Sequence, residues 1–128
     1  MFQTVVVTYP EFKAGENQAG KFLQLGLRGK KYLLLASRDQ HRFHNQILAH
    51  FLADQGAACH WTNDEVLQIE EPALIIDGGG RFQLDAERQL LILSDNSLAY
   101  GRFDNEQVQN AFASAEGNWS ELKIAIAE

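Results

Sequence analysis

Apolar and polar positions alternate along much of this chain, and the alternation breaks at glycines, prolines and acidic turns. Residues 2–9 are β-branched and aromatic and stop at Pro10, which predicts a strand. The polar stretch 11–20, with two glycines, predicts a loop. Residues 21–28 alternate, with Leu23, Leu25 and Leu27 on one face. Gly29-Lys30 is the expected hairpin turn into a buried strand over 31–36. The period then changes. Phe43, Ile47, Leu48, Phe51 and Leu52 form a helical stripe, with Ser37 or Asp39 as candidate cap and Gly56 as the C-terminal glycine. Residues 57–71 are mixed, with a short strand at 66–69. A strand at 73–76 runs into Gly78-Gly79-Gly80-Arg81, Phe82 and Leu84 continue it, 85–88 turn, and 89–93 pair back. Asp104 or Asn105 caps a second helix with Val108, Ala111, Phe112 and Ala115 inward and Gly117 at its end. Leu122, Ile124 and Ile126 mark a last strand over 122–127. The expected fold is α/β (α+β): a mixed six- to seven-stranded sheet with two helices packed on it, in a single domain over 1–128.

Length and composition fit that fold. At 128 residues the chain needs no disulfide or metal staple, and its single cysteine, Cys59, allows no internal disulfide. No signal-peptide pattern opens the sequence and no apolar run approaches the ~20 residues of a membrane span, so a cytoplasmic protein without membrane contact is expected. The net charge of −6 argues against nucleic acid as a partner. The charge is unevenly spread. Residues 1–50 carry seven Lys/Arg against three Asp/Glu, and residues 51–128 carry four against fourteen. A basic first half in an acidic chain can gather a local anion site.

Position nominates candidate chemistry, although an ordinary surface histidine is the commoner occupant of such a place. His44 falls in the first turn of the first helix, where the unpaired N–H groups and the positive dipole end disfavour an imidazolium. A neutral imidazole there can accept a proton. His41 and His50 carry no comparable argument. Three consecutive glycines at a strand end mark a place where side chains clash or φ is positive, and the Arg81 that follows puts a forked donor beside exposed backbone, as a phosphate requires. The block is neither a dinucleotide fingerprint nor a P-loop. Ser97-Leu98-Ala99-Tyr100-Gly101 follows the Asp95-Asn96 turn and can aim N–H groups at an oxyanion. The main rival for the histidines is a metal site, with His41 and His44 spaced i, i+3 and Cys59 and His60 further on, although no Cys-x-x-Cys pair or His-Glu-x-x-His helix supports it. A Ser–His–Asp triad stays open without a Gly-x-Ser-x-Gly elbow.

Taken in order, these blocks resemble the phosphohistidine phosphatase family, also called Janus/Ocnus. The matching elements are Lys21-Phe22 at an early strand, Phe43-His44 opening the first helix, the Gly-Gly-Gly-Arg block at 78–81 and the Ser-x-Ala-Tyr-Gly block at 97–101. Coverage runs from about Thr8 to Ile126 with one insertion, residues 57–71. The last two blocks carry most of the specificity. Animal members have an additional Arg where this chain has Ala36-Ser37, and Ala where it has Asn45.

The resemblance implies a metal-independent protein phosphatase that uses no cofactor. It makes His44 the general base and Lys21 a phosphate ligand. Ser97, Leu98 and Ala99 supply backbone contacts, and Arg81 shapes the pocket or binds the anion. The expected reaction is hydrolysis of phosphohistidine on a protein or peptide by a monomer. Two other classes remain open. One is a non-catalytic module that binds a phosphorylated partner. The other is an interaction protein that uses residues 57–71, with Trp61 as an anchor.

Overall fold

The computed structural model describes residues 4–9, 15–37, 44–63, 66–97, 99–115 and 117–127. Among the described residues there are eight strands and two α-helices: β1 (Val5–Tyr9), β2 (Gln18–Leu27), β3 (Lys30–Ser37), α1 (His44–Asp54), β4 (Cys59–Trp61), β5 (Leu67–Ile69), β6 (Leu74–Asp85), β7 (Leu90–Ser94), α2 (Asn105–Ala113) and β8 (Lys123–Ile126). A short 3₁₀ helix, Gly117–Glu121, precedes β8. Six strands form one mixed sheet in the order β1-β3-β2-β6-β7-β8, parallel at both outer pairs and antiparallel between. β4 and β5 form a separate hairpin.

Period-two alternation gives the sheet two buried faces, each with its own helix. On one, Leu23, Leu25, Leu27, Leu34 and Ala36 pack against Ile47, Leu48, Phe51 and Leu52 of α1. On the other, Phe22, Leu33, Leu35, Phe82, Leu91 and Leu93 pack against Val108, Ala111 and Phe112 of α2. The central strands β2 and β3 are apolar at consecutive positions because both of their faces are covered. Leu122, Ile124 and Ile126 join the α2 side, as their alternation predicts.

Several boundaries differ from the sequence expectation. The β2–β3 turn is Arg28-Gly29, one residue earlier, with φ of 52° and 81°; the positive angle at Arg28 is the part that residue type does not announce. Ser37 is the last residue of β3 and does not cap α1, and Asp39 lies outside the described residues. α1 does end as expected: Gly56 takes φ 68°, its N–H donates to Ala53 O at 3.2 Å, and Ala57 N–H donates to Leu52 O at 2.8 Å. α2 ends at Ser114, before Gly117, and Ala115 is buried beyond it. Residues 57–71 contain two short strands where one was expected. Cys59, Leu67 and Ile69 of this hairpin pack on the α1 side of the core, while Trp61 stays exposed. Among the described residues, no helix is long and apolar enough to cross a membrane.

Candidate active site

His44 is the first residue of α1 and only 6% exposed. Its Nε2 lies 2.9 Å from the carbonyl oxygen of Gly80. A carbonyl only accepts, so Nε2 carries the hydrogen and the neutral ring keeps its lone pair on Nδ1. Burial holds the His44 pKa below the ordinary histidine value. The positive charges of Lys21 and Arg81 pull the same way, against the carbonyls of Gly80 and Phe22, which favour the protonated ring. His44 is therefore a neutral imidazole near pH 7, tied to the sheet through one nitrogen.

The glycines explain how a helix start comes so close to a strand. They lie inside β6, not at a strand end, because both sides of that strand are occupied there. A Cβ on Gly79 would sit 2.6 Å from Phe22 O, 2.9 Å from Leu23 Cδ2 and 3.1 Å from His44 Cδ2. Gly78 has φ 141°, and a Cβ there would lie 2.6 Å from Arg102 O. Side chains are thus excluded by the histidine and β2 at one glycine, and by the segment after the Ser97–Gly101 turn at the other.

Strand register brings the two cations together. Lys21 of β2 pairs directly with Arg81 of β6 and, on its other side, with Ala36 of β3. Cross-strand partners share a face, and Lys21 shares its face with Leu23 and Leu25, the one packed against α1. Gly79, two residues before Arg81, lies beneath the His44 ring on that face. Three sequence candidates, His44, Lys21 and Arg81, are thereby gathered from separate parts of the chain.

The Ser97–Gly101 turn adjoins them. Gly101 O accepts from Gly79 N–H at 3.0 Å, so the turn is fastened to the glycine strand itself. Ser97 is buried, and its hydroxyl accepts from Tyr100 N–H at 3.1 Å. Its own N–H is donated to Gly101 O at 3.1 Å, so this amide serves the turn instead of standing ready for a ligand. Ala99 is exposed, and Leu98 lies outside the described residues.

One participant was not anticipated. Asp95 Oδ2 lies 3.3 Å from Arg81 Nε, and the pair is well exposed. The sequence signal was the acidic turn residue before Ser97, but its partner follows from the β6–β7 register, which sets Arg81 opposite Ser94. The other two described histidines are elsewhere. His50 is exposed, stacks on Tyr9 at 4.2 Å and approaches Asp54 at 3.7 Å. His60 pairs with Glu70 at 2.5 Å on the β4–β5 hairpin, and His41 and Phe43 lie outside the described residues. Among the described residues, no group of three or more His, Cys, Asp or Glu side chains is placed to hold a metal ion. No protein-family model matches this chain, and no curated protein sequence matches it.

Proposed function

We propose that this protein is a phosphatase acting on phosphohistidine in a protein or peptide, with His44 as general base. The observation that carries the reading is a neutral, anchored imidazole at a helix start, on the sheet face shared by the cross-strand cations Lys21 and Arg81. The blocks that resemble the phosphohistidine phosphatase family fall on these residues. Where animal members have an additional Arg, this chain has Ala36-Ser37. Ala36 stands in the same row as Lys21 and Arg81, so those two supply the row's positive charge.

In the proposed reaction a water attacks phosphorus in line while Nδ1 of His44 takes its proton. The phosphorus–oxygen bond forms as the phosphorus–nitrogen bond breaks. The substrate ring, protonated at its other nitrogen, departs as neutral imidazole, and His44 returns its proton to solvent. Lys21, Arg81 and the N–H groups at the start of α1 hold the phosphoryl oxygens, where fixed donors supply the largest catalytic effect. The near-complete burial of His44 favours one other reading, a binding module without turnover. A phosphohistidine-peptide assay separates them. His44→Ala is expected to lose about two decades of kcat and His50→Ala very little. Binding without release of phosphate by the unmodified protein establishes the module instead.

A further inference from the structure

Asp95 follows Ser94, the last residue of β7, and its backbone holds φ 64°. That left-handed conformation costs a residue with a side chain, and Asp is among the few types whose local hydrogen bonds can offset the cost. Two such bonds fix Asp95. Its Oδ1 accepts from Asn96 N–H at 2.9 Å, and its carbonyl accepts from Arg102 Nη1 at 2.9 Å. Arg102 is itself held. Its Nη2 donates to Asn105 Oδ1 at 3.3 Å, and its guanidinium lies 4.5 Å from the centre of the Phe103 ring. Phe103 is buried against Phe22, with ring centroids 5.0 Å apart. The Asp95 carboxylate is therefore tied through Arg102 to the core.

The other carboxylate oxygen meets Arg81. Asp95 Oδ2 lies 3.3 Å from Arg81 Nε, with both side chains about half exposed. An exposed ion pair between two loose side chains contributes little stability, because ordering both of them offsets the attraction. Here the carboxylate is already fixed, so the group that gains order is the Arg81 guanidinium. The contact is made at Nε, and the terminal fork of the guanidinium is the part that matches two phosphate oxygens. Arg81 pairs across the strands with Lys21, and its charge acts on His44. A backbone held in a costly conformation beside such a group has a role to explain it.

Resting on the phosphatase reading above, we infer that Asp95 is a positioning residue, which holds Arg81 by Nε so that the terminal fork serves the phosphoryl group. Arg102 in turn holds Asp95. The carboxylate acts through Arg81 and does not touch the substrate. Its own charge repels a phosphate, so it aids the reaction while it weakens ground-state binding. Loss of Asp95 therefore separates kcat from KM.

The test follows the Arg81 Nε–H signal by NMR in isotope-labelled protein, with inorganic phosphate as probe, alongside phosphohistidine-peptide kinetics. Asp95→Gly suits a left-handed backbone, so it removes the carboxylate without strain, and Asp95→Asn removes the charge alone. In the unmodified protein the Arg81 Nε–H bond is expected to be ordered and its signal to shift with phosphate. Both Asp95 variants, and Arg102→Met, are expected to make that bond mobile. In the Asp95 variants kcat is expected to fall about tenfold with KM unchanged or lower, within what a misplaced binding group costs. The assignment is overturned if the Arg81 signal is equally ordered in folded Asp95→Gly. It is equally overturned if KM rises with kcat unchanged, the mark of direct substrate binding. An unmodified protein that binds phosphate but releases none from the peptide sinks the phosphatase reading alone, and the Arg81 signal then decides the role of Asp95.

Discussion

The two helices of this protein begin in opposite ways. α2 starts with exposed Asp104, in extended conformation, whose carboxylate accepts from Gln107 N–H at 2.8 Å; Glu106 follows in the first turn. That start neutralises its own positive dipole end. α1 starts with buried His44, has no acidic residue in its first turn, and lies near the cations Lys21 and Arg81. One helix start serves stability. The other, whose preceding residues lie outside the described ones, sets a buried neutral imidazole near two cations, of which Arg81 pairs with Asp95.

Gly79→Ala breaks the difference most severely. Its methyl group meets the Phe22 carbonyl and the His44 ring together, so overpacking of about 3 kcal/mol is expected, with loss of phosphate release. Urea unfolding and the phosphohistidine assay on the same sample check both effects. Asp104→Ala sharpens the contrast from the other side. It is expected to cost about 1 kcal/mol of stability and to leave turnover unchanged, which the same two measurements report.

The smallest effect is read in pH. Because the His44 pKa is lowered in the folded state, the unfolded chain takes up the proton first on acidification. Stability from this residue is therefore complete above the ordinary histidine value of 6.5 and is lost as pH falls from there through the lower folded pKa. Urea midpoints at pH 7.5 and 5 are expected to differ more for the unmodified protein than for His44→Gln, where this contribution is gone. Equal differences in the two proteins contradict the depressed pKa.

Local physics made much of this legible in advance. The alternation of Leu23, Leu25 and Leu27, the helical stripe ending at Leu52, the Gly56 terminus and the Asp104 cap are all short-range patterns, and the structure carries each of them. What escaped depends on neighbours distant in sequence. β4 is three residues long and too short to alternate visibly. From sequence the glycines suggest a strand end, because the histidine and the segment that fill the space beside them come from other parts of the chain. His44 and Arg81 are visible as residue types in plausible places and Lys21 only through the family resemblance, whereas their shared face requires the β2–β6 register. The Asp95 partner of Arg81 required it too.

Titration of inorganic phosphate followed by amide NMR decides whether His44, Lys21 and Arg81 form one anion pocket. The amides of His44, Arg81 and Ala99 are expected to shift together with one apparent affinity, and Lys21→Ala to weaken that affinity by about 2 kcal/mol. Shifts scattered over separate faces, or an affinity indifferent to Lys21→Ala, contradict the pocket.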